Sequence, residues 1–309
     1  MSPKRVRIGS RGSILALKQT EWVIKQIKQI YDVEIIVKII KTKGDKILDA
    51  PLAHIGGKGL FVKEIEDALL KEEIDLAVHS LKDVPTFLPK ELCLGAVTVR
   101  EDPRDAIITK QNIPFKKLPK NAVIGTSSLR RQAQLLHFNP AFRMVPLRGN
   151  VDTRLRKLKE QNLDAIVLAS AGLKRLDYTS KVTEYLPFDI LLPAIGQGAL
   201  GIEVRKEKKW LEFVAPLNHT STAIAISAER AFLKRLGGGC QVPIAGYASC
   251  NENGIEIKGM IADVDGKYLF KQTLKGPIKA AEDLGYRLAE ILLEKGGKEI
   301  LAKIYGEAR

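Results

Sequence analysis

An alternation of short apolar runs with amphipathic stretches sets the limits on what this chain can fold into. Residues 5–10 read as a strand. The helix opened by Gly12 then carries Ile14, Leu17, Ile24 and Ile27 on one face at helical spacing. Residues 34–42 are a β-branched run, as expected of a strand buried on both faces. Residues 43–60 show neither period and contain four glycines, the character of a functional or mobile loop, and a lid is expected there. An amphipathic helix over 61–73 and a buried strand over 75–79 follow. The pattern then repeats as strand 122–125, helix 128–137, strand 143–147, helix 151–161, strand 165–169 and a short helix. Such alternation implies mostly parallel sheets with helices on their faces. Small residues recur at the junctions Ile8-Gly9-Ser10, Ile124-Gly125-Thr126 and Leu168-Ala169-Ser170, which suggests two similar α/β domains.

Residues 191–204 are apolar with three glycines and read as a strand crossing between domains. The last ninety or so residues change character. A helix over 222–236 is broken by Gly237-Gly238-Gly239, alternating strands follow with a hairpin signal at Asp265-Gly266, and a long amphipathic helix closes the chain. The expected division is therefore 1–99 with 200–217, 100–199, and an α+β module over 218–309.

Composition removes several classes. No apolar run approaches the roughly 18 residues that span a bilayer, and Met-Ser-Pro-Lys-Arg leads into a strand rather than an apolar signal core. A cytoplasmic, unsecreted protein is expected, without membrane contact. Cys93, Cys240 and Cys250 form no C-x-x-C pair, and His54, His79, His137 and His219 show no ligand spacing, so neither a disulfide scaffold nor a metal site is expected. The formal charge is +14, of which +8 falls in 100–199 together with nine of the 17 arginines. Nucleic acid is one reading of that balance. Aromatics are only 6% and no RNP, zinc-finger or helix-turn-helix pattern occurs, so no nucleic-acid partner is expected. Arginine in preference to lysine suits bidentate binding of carboxylate or phosphate.

Four places can carry chemistry. In His79-Ser80-Leu81-Lys82-Asp83-Val84-Pro85 a buried strand delivers Ser80, Lys82 and Asp83 to its carboxyl end, where open α/β sheets bind ligands. Asp83 is then either a fixed negative charge, able to stabilise a cation or take a proton, or a turn or N-cap residue. In Gly125-Thr126-Ser127-Ser128-Leu129-Arg130-Arg131, hydroxyls and amides at a helix start form an anion cradle reinforced by two arginines. Arg148-Gly149-Asn150 leading to Arg154, and Lys174-Arg175, repeat that logic, against the alternative of surface charge. Arg11-Gly12-Ser13, with Gln19 two turns on, is a second cradle or an ordinary helix start. Cys240, after three glycines, is either an attachment point with little bulk around it or a buried cysteine behind a helix cap.

Taken together, residues 8–13 (IGSRGS), 78–85 (VHSLKDVP), 124–131 (IGTSSLRR), 147–154 (LRGNVDTR), 192–199 (LPAIGQGA) and 229–243 (ERAFLKRLGGGCQVP) resemble the porphobilinogen deaminase family, in that family's order and across the whole chain. Gly237, where many members have an acidic residue, is a small departure. The resemblance implies two periplasmic-binding-protein-like (type II) α/β domains joined by crossing hinge strands, plus a C-terminal α+β domain with a small antiparallel sheet. It implies a dipyrromethane cofactor joined to Cys240 by a thioether, with Asp83 as the catalytic carboxylate. Ser80, Lys82, Asp83, Thr126, Ser128, Arg130, Arg131, Arg148 and Gly149 are then expected around the cofactor. Arg11, Ser13, Gln19, Lys58, Arg148, Arg154, Arg175 and Gln197 are expected at porphobilinogen. The implied reaction joins four porphobilinogens into hydroxymethylbilane with loss of ammonia. A monomer is implied, passing its product to uroporphyrinogen-III synthase. The rival is a non-catalytic two-lobed anion- or solute-binding protein.

Overall fold

The computed structural model describes residues 3–46, 59–60, 62–238 and 242–307. They form two compact units. The first takes in 3–46, 59–101 and 199–224, and the second 102–198 and 225–307, in each case as far as described.

In the first unit the strands are β1 (Arg5–Ser10), β2 (Glu34–Ile39), β3 (Leu76–Ser80) and β4 (Leu92–Val97), with helices Ile14–Ile30 and Lys63–Leu70. The chain then enters the second unit with β5 (Asp105–Thr109), β6 (Val123–Gly125), β7 (Arg143–Val145), β8 (Ala165–Ala169) and β9 (Glu184–Tyr185). It returns to the first sheet as β10 (Leu200–Arg205). The sheet orders are β2-β1-β3-β10-β4 and β7-β6-β8-β5-β9. In each, three parallel strands meet a reversed fourth, β10 or β5, which is the first strand after the chain has crossed between units.

Burial explains the first sheet. One face buries Val6, Ile8, Leu76, Val78, Leu200, Ile202 and Val204 against Val23 and Ile27 of the first helix and against Trp210 and Phe213. Each such side chain contributes about 1.5–3 kcal/mol on burial. The other face lies under Ile65, Ala68 and Leu69 of helix Lys63–Leu70. Ser13 starts the first helix, its hydroxyl accepting from the Ala16 amide at 3.2 Å.

The second unit continues with helix Thr220–Arg235, from residue 225 onward, and an antiparallel sheet of β11 (Ile244–Asn251), β12 (Gly254–Ala262) and β13 (Leu269–Gly276). Fully buried Glu229 joins the parts: its carboxylate accepts from the Gly196 amide at 2.7 Å and the Ala248 amide at 2.8 Å. The predicted hairpin is present. Gly266 at its tip has φ +73°, and a Cβ there would sit 2.3 Å from the Ala133 carbonyl of helix Leu129–Phe138, so only glycine allows this approach.

Some expectations need correction. β2 is an edge strand exposed along most of its length, with Ile39 59% exposed, because nothing pairs beyond it among the described residues. A β-branched run signals strand but not position in a sheet. The closing helix is two helices, Ala281–Leu292 and Lys298–Glu307, parted at Gly296 with φ +113°. β4, β5 and β9 were not anticipated, although LCLGAV and DAIIT are apolar runs of strand length. The expected lid over 43–60 lies outside the described residues, apart from the short helix Lys43–Lys46 and residues 59–60.

Candidate active site

The carboxyl ends of parallel strands gather the polar loops within each unit, as open α/β sheets require of a ligand site. In the first unit these are the ends of β1 and β3, carrying Arg11 and Asp83. β3 runs into a 3-10 turn, Leu81–Asp83, closed by the Val84 amide donating to the Leu81 carbonyl at 3.2 Å. Leu81 is 2% exposed and anchors the turn. Gly201 on β10 gives it room, since a Cβ there would lie 2.6 Å from Leu81 Cδ1 and 2.8 Å from Leu94 Cδ2. Asp83 is half-buried, and its carboxylate makes no hydrogen bond or ion pair among the described residues, so it serves neither as cap nor as turn clasp. Arg11, Lys82 and Ser80 are half-buried beside these strand ends, Gln19 is 5% exposed on the first helix, and Ser13 is spent on its cap.

In the second unit the ends of β6, β7 and β8 lie on one edge. Ser127 Oγ donates to the Leu147 carbonyl at 3.1 Å and binds the first two loops together. Thr126 Oγ1 accepts from the Ser128 amide at 3.2 Å, while Ser128 occupies the N-cap of helix Leu129–Phe138 without a side-chain capping bond. Gly149 has φ +112°, and a Cβ there would lie 2.6 Å from Thr153 Cγ2. Asn150 caps helix Val151–Glu160, accepting from the Thr153 amide at 2.8 Å. Arg154 Nε donates to the Gly149 carbonyl at 2.8 Å, and Arg175 Nη2 to the Gly198 carbonyl at 2.8 Å. Arg148 is different: its Nη2 is buried with no hydrogen-bond partner. A buried guanidinium nitrogen without an acceptor is costly unless a ligand supplies one.

The arginine pair has a partner that the sequence reading did not assign. Arg130 Nη1 donates to Asp105 Oδ2 at 2.7 Å and to the Leu192 carbonyl at 2.7 Å. Arg131 grips Asp105 Oδ1 through Nη2 at 2.7 Å and Nε at 3.1 Å, and donates to the Val167 carbonyl at 2.9 Å. Both arginines are 6% exposed and Asp105 is fully buried. Burial pushes the Asp105 carboxyl up, but the two guanidinium groups outweigh it and hold it well below the usual carboxylate range. Two buried cations against one anion leave a positive excess. Gln197, 1% exposed, donates to the Pro103 carbonyl at 2.7 Å and to Asp105 Oδ1 at 3.1 Å, so it braces this cluster. The signal for Asp105 was available: an acid opening a buried apolar strand needs a cation. Asp105→Asn keeps the shape but leaves two guanidinium groups unpaired. It is expected to cost roughly 3–5 kcal/mol, seen as a fall in Tm on the order of 10 °C.

Cys240 and Lys58 lie outside the described residues. Cys93 and Cys250 are half-buried, and burial pushes both thiols up, so they are neutral. Among the described residues no group of three or more His, Cys, Asp or Glu can hold a metal ion, and no helix is long and apolar enough to cross a membrane.

Two mixed sheets with one reversed strand each, and polar loops collected at the parallel strand ends, define an α/β protein of the kind that holds ligands at those ends. The chain belongs to the porphobilinogen deaminase family. The family's "porphobilinogen deaminase, dipyromethane cofactor binding domain" matches residues 6–212, and its "porphobilinogen deaminase, C-terminal domain" matches 223–294. Porphobilinogen deaminase of Syntrophotalea carbinolica is 55% identical over 306 residues, covering 98% of this chain and 97% of that one. That of Carboxydothermus hydrogenoformans is 52% identical over 308 residues, covering 99% of each. Among solved structures, an immunogenic lipoprotein A from Vibrio vulnificus superposes loosely, with a TM-score of 0.42 and 14% identity over 73% of this chain and 98% of that one.

The cofactor that the family's domain is named for carries acetate and propionate side chains. The residues present fit such a polyanion: Arg148 holds a buried nitrogen awaiting an acceptor, and the Arg130–Arg131–Asp105 cluster holds cation in excess.

Proposed function

We propose that this chain is a transferase of tetrapyrrole biosynthesis that deaminates porphobilinogen and joins four molecules head to tail. They grow on a dipyrromethane primer tethered through a thioether at Cys240, and the product released is hydroxymethylbilane. The observation that carries the reading is Asp83, a half-buried carboxylate on an anchored turn that no other described residue uses.

The primer, when bound, supplies a nucleophilic pyrrole carbon. The protein's own groups do the rest. Loss of ammonia from porphobilinogen leaves a cationic azafulvenium-like centre, and a fixed carboxylate at Asp83 stabilises it more than the neutral ground state. Asp83 also accepts from pyrrole N–H groups and so orients the ring. Arg11, Arg130, Arg131, Arg148, Arg154 and Arg175, with Lys58 and Lys82, balance the acetates and propionates, arginine doing so in bidentate fashion. Ser80, Thr126, Ser128 and the Gly149 backbone add neutral donors. The helix-capping Ser13, buried Gln19 and bracing Gln197 are read as fixing the loops that carry these cations.

Residues 1–99 with 200–217, 100–199 and 218–309 act as three modules in this reading, the last carrying Cys240. A thioether resists thiol exchange, which suits a reducing cytoplasm. The working form is read as a monomer that passes its product to uroporphyrinogen-III synthase. The test is stoichiometry: the full chain incubated with porphobilinogen should release four ammonia molecules per hydroxymethylbilane. Saturable binding of porphobilinogen without ammonia release would instead leave a non-catalytic anion-binding protein.

A further inference from the structure

Behind the catalytic strand lies a buried set of ionisable groups that the mechanism does not use. His79, the residue before Ser80, is 5% exposed, and its Nε2 is 2.9 Å from Oε2 of Glu203 on β10. Glu203 is fully buried, and its second oxygen, Oε1, has no partner. His79 lies opposite Gly201, and Glu203 opposite Ala77, so the pair forms a diagonal clasp between β3 and β10. Helix Lys63–Leu70 packs on this region and brings Glu66, whose Oε1 is also buried and unpartnered. A buried carboxylate oxygen without a donor, set near a second buried carboxylate, favours the neutral acid at Glu66.

Other groups from the packed elements do not supply that charge. Arg7 on β1 is bound to Asp75 at 2.7 Å. Arg205 on β10 donates to the Leu69 carbonyl at 2.7 Å and the Ile74 carbonyl at 2.9 Å. Cys93 on β4 is a neutral thiol. His79 and Glu203, with Asp67 of Glu66's own helix, are what act on Glu66.

We propose that Glu66 and the His79–Glu203 clasp together position Asp83, the clasp holding the carboxyl end of β3 while the Glu66 carboxyl is neutral and slackening when it ionises. Glu66 and Glu203 are thus positioning residues, acting through β3 and its Leu81 anchor, and this inference rests on Asp83 carrying the reaction. Burial first, and then the charge of Glu203, push Glu66 up to about 7 from its ordinary 4.5. The folded chain therefore keeps a proton that the unfolded chain releases near 4.5. Stability from this acid is full below 4.5 and is lost as pH rises through about 7.

The test compares kcat, KM and Tm of the wild type with those of Glu66→Gln between about pH 6 and pH 8.5. Glutamine mimics the protonated acid. The ratio of variant to wild-type kcat should rise roughly three- to tenfold over that span with KM unchanged. The wild-type Tm should fall over the same span relative to the variant's. A protonated-carboxyl infrared band in the wild type should disappear through neutral pH, and it decides the matter even if the variant does not fold. Parallel pH profiles with a pH-independent band would overturn the inference and leave the role of Asp83 standing. Absence of turnover in the wild type at any pH would overturn the functional reading itself.

Discussion

Asp83→Asn is expected to lower kcat by about three decades and leave KM within a few-fold. Asparagine keeps the shape of the side chain and removes its charge. A unit charge pair at about 4 Å and an effective dielectric near 20 is worth roughly 4 kcal/mol, which converts to about three decades in rate. The charge meets its partner only when ammonia departs, so the loss falls on kcat rather than on binding. Because no described residue bonds to this carboxylate, Tm should be nearly unchanged. Steady-state kinetics with a melting curve on the same protein checks both. A loss of less than tenfold, or a large fall in Tm, would place the residue in a structural role.

The second large effect is expected at Cys240. Cys240→Ser should yield protein whose intact mass lacks the two-pyrrole primer and which, when denatured, gives no coloured adduct with an acidic aldehyde reagent. It should show no turnover. A hydroxyl is a far weaker nucleophile than a thiolate unless a base activates it, so serine should not rebuild the link. Cys93 and Cys250 cannot substitute, because burial holds both as neutral thiols. An unmodified wild-type mass after incubation with porphobilinogen, or full activity in the serine variant, would defeat the thioether assignment.

Much of the architecture was legible because it is local. The helical spacing of Ile14, Leu17, Ile24 and Ile27 and the apolar runs of β1, β3, β6 and β8 are periodic along the chain, and the structure forms each of them. Small residues at three strand-to-helix junctions correctly pointed to two related sheets. The edge position of β2 was not legible, because a β-branched run is the same whether one neighbour strand or two flank it. The Gly296 break was missed because apolar spacing continues on both sides of it.

By itself, then, the chain order of residues determined two α/β sheets, the loops at their strand ends, and the motif set that marks the family, since all of these are written in neighbours a few positions apart. Tertiary structure alone decided where charge is spent. It gave Arg130 and Arg131 to Asp105, 25 and 26 residues away, and left Arg148 Nη2 without a partner. It also set His79 against Glu203 across 124 residues of chain. A guanidinium or carboxylate reads the same in any sequence, and only folding determines whether it meets an opposite charge, water or nothing.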